Sequence, residues 1–271
     1  MIHDKAGKAY WDTLWKHGHS TSDVELQGRG LNQYVNGKFH QLFTDTFRGL
    51  PTTSQRLLEI GCAKSTWLPY FAKEFGFDVV GLDYSELGCA QARSILAGTG
   101  THGEVVCADL FAPPEELLGT FDVVVSFGVV EHFEDTATCL SAFAKFLKPG
   151  GMAVTIIPNF AGWLGSIQRV VNRPVFDIHV PLDPQALAAG HQPSLDVLSC
   201  GYFLTVNWGV INIENWSQPF HSLGTRLRSW ASKGVWILEG HLPFAPHLLK
   251  PNRLTSPYIN CVARKPYTSS L

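Results

Sequence analysis

The run Leu57-Leu58-Glu59-Ile60-Gly61-Cys62-Ala63-Lys64-Ser65, followed by Val79-Val80-Gly81-Leu82-Asp83, constrains this chain more than any other feature. An apolar strand enters a tight turn of small residues and a helix. A second apolar strand then ends on a carboxylate, Asp83, 22 residues after Gly61. Small residues at such a turn let the backbone approach a ligand, and an acid at the next strand end can accept from ribose hydroxyls. The layout predicts an α/β unit built around a nucleotide-like ligand.

The alternation continues downstream. Strands are predicted at 56–60, 78–82, 104–108, 121–127 and 152–157, and helices at 65–75, 85–97 and 135–147, with a weaker helix near 114–118. Strand–helix alternation implies a parallel sheet covered on both faces. The β-branched runs Val79-Val80, Val105-Val106 and Val123-Val124-Val125 suit buried central strands. Lys148-Pro149-Gly150-Gly151 reads as a turn between a helix and the fifth strand. After Pro158 the texture shifts to Gly, Pro, His, Asn and Trp, with Trp163, Trp208, Trp216, Trp230 and Trp236 all in this part. Helices are predicted there at 161–172, 184–191 and 221–232, and strands at 200–206 and 257–264. Ahead of the first strand, 5–17 and 31–48 read as helices. The expected organisation is a helical cover over 1–50 and a main domain over 51–271, with a lid elaboration at about 159–256 that completes the substrate pocket.

Composition narrows the function. Hydrophobic residues make up 45% of the chain, enough for a large core, and the formal charge of −2 argues against a general nucleic-acid binder. The six cysteines (Cys62, Cys89, Cys107, Cys139, Cys200, Cys261) contain no C-x-x-C pair, which favours reduced thiols in a cytoplasmic setting. The N-terminal residues lack an apolar signal core, and no apolar stretch reaches the ~18 residues of a membrane span.

Further pieces fall at strand ends: Cys107-Ala108-Asp109-Leu110, the segment from Phe121 to His132, Leu147-Lys148-Pro149-Gly150-Gly151 and the late strand Tyr258-Ile259-Asn260-Cys261-Val262-Ala263. Taken together, the motifs over roughly 55–158 resemble the class I S-adenosylmethionine-dependent methyltransferases, in their small-molecule branch. The resemblance implies a Rossmann-like, seven-stranded, mainly parallel sheet with an antiparallel last strand and helices on both faces. It also implies S-adenosylmethionine as cofactor and methyl transfer to an O, N or S atom of a small molecule. It places Glu59 and Gly61, with Cys62 and Ala63, against the methionine part of the cofactor. Asp83, with Tyr84 beside it, falls at the ribose hydroxyls, Asp109 at the adenine amino group and Leu110 on the ring. Phe127 and Gly128 would line the cofactor. His132 and His179 are the candidate bases, and Trp15, His179 and Tyr202 are candidate substrate contacts.

The first motif departs from the family's Gly-Cys-Gly-x-Gly, since Ala63 adds a methyl where the backbone passes the ligand and Ser65 can cap the next helix. Glu131-His132 resembles part of the acid-acid-His metal set of some quinone-precursor O-methyltransferases. The upstream acid of that set falls at Gly128, so no metal is expected. Two other classes compete with this reading. A nicotinamide-dependent oxidoreductase shares the strand–glycine–acid spacing, but Thr66 stands where its final glycine belongs. A peripheral lipid-directed methyltransferase or non-catalytic binder could use the apolar segment 241–250. Asp83 and Asp109 could also be mere helix N-caps, and the histidines and tail tryptophans could be core residues.

Overall fold

A computed structural model describes residues 4–17, 24–205, 207–241 and 250–267; the apolar segment 242–249 lies outside the described residues. The first four parallel strands are β1 (Arg56–Ile60), β2 (Asp78–Asp83), β3 (Gly103–Cys107) and β4 (Phe121–Phe127). β5 (Leu147–Pro158) follows, then β6 (Asp196–Phe203) and β7 (Tyr258–Arg264). They form one seven-stranded sheet in the order β3-β2-β1-β4-β5-β7-β6. β1 through β5 are mutually parallel, and β7 runs antiparallel to both β5 and β6. The predicted α/β class and the antiparallel final strand are both present. The order reverses beside β1, and in such sheets the crevice outside the strand ends at the reversal is where ligands bind.

Helices α1 (Lys8–His17), α2 (Leu31–Thr46), α3 (Trp67–Phe75), α4 (Glu86–Gly98) and α5 (Thr136–Phe146) precede β5. Helices α6 (Trp163–Val171), α7 (Arg173–Asp177), α8 (Pro184–His191) and α9 (Phe220–His241) follow it. One sheet face buries Leu58, Ile60, Val80 and Val124 against α5 and α8; the other buries Leu57, Val79, Val123 and Val125 against α2, α3 and α4. The alternation of adjacent residues between the two faces is the period-2 geometry of a strand covered on both sides.

Several expectations change. α2 is a core helix rather than part of a cover. Phe39, Phe43 and Phe47 recur every four residues, and all three are buried against Trp67, Phe71 and Phe77. A stripe at that spacing lies on one helix face and seeks the sheet. The segment 148–151 is drawn into β5, with a register shift opposite β4 between Phe121 and Val123. β6 begins at Asp196, earlier than predicted, and α9 runs well past 232. Among the described residues no helix is long and apolar enough to cross a membrane.

The close approach of α4 to the β1 exit has a specific cause. Ser85 caps α4 by accepting from the Gly88 N–H at 3.1 Å. The Ala63 methyl occupies the space in front of Gly88, so a Cβ at Gly88 would stand 2.5 Å from that of Ala63. The extra methyl of the first motif therefore faces the helix and is matched there by a glycine. Gly88→Ala is expected to destabilise the fold by about 1–3 kcal/mol through overpacking, and Ala63→Gly in the same chain to recover most of that loss. Chemical denaturation of the two single variants and the double variant measures the coupling; simple additivity would contradict it.

Candidate functional site

The carboxyl ends of β1 to β4 open into a cavity of about 800 Å³, within the size range of small-molecule sites. Its floor is set by three acids on consecutive strand ends. Glu59, in β1, is 2% exposed. It accepts from Ser65 Oγ at 2.7 Å, and that Oγ accepts from the Trp67 N–H at 2.9 Å, so the strand carboxyl is tied to the start of α3. Burial pushes the Glu59 carboxyl up to about 8, against the Ser65 hydrogen bond and with some help from the nearby Asp83.

Asp83 closes β2. Its Oδ2 accepts from the Ala63 N–H at 3.1 Å and its Oδ1 from the Ser85 N–H at 2.8 Å. Burial raises its carboxyl above the usual range, and these backbone bonds hold it down. Since Ser85 is the cap of α4, the N-cap reading of Asp83 falls away. Asp109, after β3, is exposed and accepts from the Phe111 N–H at 2.9 Å, a local turn rather than a helix cap. Each carboxylate oxygen keeps acceptor capacity toward the cavity, because it carries two lone pairs.

Gly61 stands at the turn with φ of 77°, a left-handed conformation, and a Cβ there would collide with Val129. The protein's own packing, and not only a ligand, therefore demands glycine. Ala63, Leu110, Phe127 and Gly128 line the cavity as expected, and the Phe127 ring stacks on Trp67 at 4.8 Å. Cys62 does not line it. Its thiol points into the core, where a Cβ at Gly81 would meet Sγ at 2.5 Å; only the Cys62 backbone belongs to the turn.

The cavity roof comes from α1. Trp11 and Trp15 stack at 5.7 Å and both line the cavity. Three hydrogen bonds fix this helix and the residues before it. Tyr84 Oη donates to Asp4 at 2.7 Å, Ser85 Oγ donates to Asp12 at 2.6 Å, and Gln91 donates to the Trp15 carbonyl at 2.9 Å. Asp4, Lys8, Trp67, Val129 and Phe133 also line the cavity and were missed. Trp67 alone had a readable signal, as the first helical residue after the turn.

Of the two histidines, His132 reaches the cavity and His179 does not. His132 is buried at 4% exposure, with Trp11 edge-on at 5.0 Å and Nδ1 2.9 Å from the Ile178 carbonyl. Burial lowers its pKa. His179 sits behind it, ring to ring at 4.5 Å, with Phe160 at 4.7 Å and Nδ1 2.6 Å from the Val175 carbonyl. Burial and then the neighbouring His132 lower the His179 pKa to about 3. The expectation that His179 faces the cavity is therefore corrected: the segment carrying it packs against the back of the wall. Tyr202 is likewise not in the lining. β6 is the sheet edge, and Tyr202 packs against the core on the α5–α8 side. No residue of 159–256 lines this cavity among the described residues.

Glu131 is a residue the sequence reading undervalued. It is 1% exposed, neither carboxyl oxygen has a hydrogen-bond partner of good geometry among the described residues, and burial pushes it up to about 8 against the pull of its own backbone N–H.

The family described as a methyltransferase domain matches residues 57–151. Residues 57–151 of this chain form a class I S-adenosylmethionine-dependent methyltransferase domain. The ubiquinone biosynthesis O-methyltransferase of Sinorhizobium medicae (strain WSM419) is 36% identical over 148 residues, which cover 53% of this chain and 56% of that protein. The chain thus spans about half the length of the curated relatives it matches. Among solved structures, the [4+2]-cyclase SpnF has a TM-score of 0.63 at 15% identity, over 98% of this chain and 97% of that one. Phosphoethanolamine N-methyltransferase 2 of Haemonchus contortus, solved with S-adenosylhomocysteine, has a TM-score of 0.58 at 20% identity, over 95% of this chain and 58% of that one. These two likenesses concern the fold. A cyclase on the methyltransferase fold is a reminder that chemistry is decided by the site.

The raised Glu59 pKa carries a stability consequence. The folded chain keeps a proton on Glu59 that the unfolded chain releases above about 4.5, so the unfolded state binds fewer protons and stability falls as pH rises toward about 8. Glu59→Gln is expected to flatten that part of the stability–pH curve, measured by denaturant titration at several pH values. An unchanged slope would place the loss on other groups.

Proposed function

We propose that this chain transfers a methyl group from S-adenosylmethionine to a hydroxyl oxygen of a small apolar or aromatic acceptor. One observation carries the reading: Glu59, Asp83 and Asp109 end three adjacent strands on one cavity, and His132 is set in another part of its wall. The cavity suits the cofactor's chemistry. Glu59 and the turn 61–65 would hold the methionine ammonium and carboxylate, Asp83 the ribose hydroxyls, and Asp109 the adenine amino group beside Leu110. S-adenosylmethionine, when bound, supplies an electrophilic methyl on a cationic sulfur.

The chain's own part is alignment and exclusion of water. Trp11 and Trp15 roof the cavity, and Phe127, Phe111 and Phe133 give it apolar walls. Such walls suit an acceptor with a flat or apolar body. His132 is the polar group on the acceptor side, and its Nε2 is the nitrogen not committed to a carbonyl. An oxygen acceptor is favoured by this imidazole and by the relative that is itself an O-methyltransferase. In this reading α1 serves as the cover in the expected organisation over 1–50 and 51–271.

Incubation with methyl-labelled cofactor and a panel of phenols, with mass detection of the product, tests the activity. Labelled ether is expected; turnover confined to amines or thiols would overturn the oxygen assignment. Asp83→Ala is expected to weaken S-adenosylhomocysteine binding by about 1.5–3 kcal/mol, the scale of hydrogen bonds to a charged group, and calorimetric titration of a folded variant with unchanged affinity would refute that role. Because Glu59 holds its proton up to about 8, a cofactor ammonium placed beside it should drive that proton off at pH 7. Titrations in phosphate and in Tris should then give different apparent enthalpies, and the difference should shrink in Glu59→Gln. Equal enthalpies in the wild-type chain would remove Glu59 from the ammonium site.

A further inference from the structure

Behind the acceptor side of the cavity wall, Glu131, His132 and His179 converge, each offering a ligand atom within 4.8 Å of the other two. We infer that these three side chains form a binding site for a divalent transition-metal ion of the zinc type, with an open position toward the cavity that an oxygen ligand fills.

Glu131 is 1% exposed and both its oxygens are without a hydrogen-bond partner of good geometry among the described residues. A buried carboxyl in that condition is costly whether charged or neutral. Neither imidazole forms a hydrogen bond with it. Nδ1 of His132 lies 2.9 Å from the Ile178 carbonyl and Nδ1 of His179 lies 2.6 Å from the Val175 carbonyl, so each Nδ1 is the protonated donor of a neutral ring. Each Nε2 is then a lone pair. Two imidazole lone pairs therefore face a buried carboxyl with which neither forms a hydrogen bond. A cation resolves that arrangement.

A backbone carbonyl on the other ring nitrogen fixes the tautomer and orientation of each imidazole, as it does for metal-binding histidines. The backbone joins the two segments as well: the Val180 N–H donates to the Glu131 carbonyl at 2.6 Å, and the turn that carries His179 is closed by its N–H on the Phe176 carbonyl at 3.1 Å. Two nitrogens and one carboxylate suit zinc and its neighbours, whereas magnesium and calcium prefer oxygen ligands throughout. Three protein ligands leave the fourth position open. His132 lines the cavity, so that position can be reached from it. The ligand set differs from the acid-acid-His set whose upstream acid falls at Gly128: an imidazole from the turn after α7 stands in the cluster instead. The metal site rests on this cluster alone. An acceptor oxygen as its fourth ligand rests on the methyl-transfer reading.

The full chain, stripped with a chelator, is titrated with Co²⁺ by visible absorption and with Zn²⁺ against a chromophoric chelator. One equivalent should bind, with the intense d–d bands of a four- or five-coordinate site. Glu131→Gln and His179→Ala should each weaken binding at least ~10-fold, and S-adenosylhomocysteine titration checks that these variants are folded. X-ray absorption of the zinc-loaded wild-type chain, which needs no variant, should report two imidazoles in the first shell. Absence of tight binding in the wild-type chain, first-shell scattering without imidazole, or folded variants with full metal affinity would overturn the site. Metal binding without S-adenosylhomocysteine binding would instead leave the site standing and remove the methyl-transfer reading.

Discussion

The Asp83 carboxylate bridges two turns: one oxygen takes the Ala63 N–H, the other the Ser85 N–H. These bonds hold the exit of β1 and the exit of β2 at one level, which is where a parallel sheet presents its ligand crevice. The rest of the site is positioned from this joint. Ser85 caps α4 and donates to Asp12 of α1, so the roof is fastened to the same point as the floor. Ala63 and Gly88 set how closely α4 approaches. A carboxylate that spends one lone pair of each oxygen on backbone still has capacity for a ligand hydroxyl, so the same group can organise the crevice and read what enters it.

Around that joint the chain buries groups that would rather be in water. Glu59 and Glu131 are both fully buried acids pushed up to about 8, and His132 and His179 are both pushed down by burial. Such groups raise the free energy of the folded chain unless partners offset it. The stability for this comes from elsewhere, chiefly from the aromatic layer in which Phe39, Phe43, Phe47, Phe71 and Trp67 pack between α2, α3 and the sheet. Burial of each such side chain contributes roughly 1.5–3 kcal/mol. Where such groups are taken out of water, the lower dielectric strengthens each interaction made there.

Much of the fold was legible in the chain. β1, β2 and β4 lie where the apolar runs predicted them, because central strands covered on both faces read as short uninterrupted apolar segments bounded by turns. α4 and α8 were similarly clear, being bounded by Ser85 and Asp183, whose side chains accept from the first turn. The acids Glu59, Asp83 and Asp109 were legible for the same reason: each directly ends or follows a recognisable strand. Legibility failed where orientation mattered. Cys62 sits in the turn but turns its thiol to the core, the Ala63 methyl is matched by Gly88 of a helix, and Tyr202 lies on the far edge of the sheet.

The sequence by itself determined the order of strands and helices, the turn at Gly61 and the carboxylates at the strand ends, because each is a property of residues within a few positions of one another. Tertiary structure alone decided that α2 joins the core, that His179 stands behind His132 rather than in the cavity, and that Glu131 meets both imidazoles. The last two outcomes depend on how the loop after β4 and the segment following α7 pack together. Packing at that range is fixed by side-chain shape and by backbone hydrogen bonds such as the one from Val180 to Glu131, and no local periodicity encodes it.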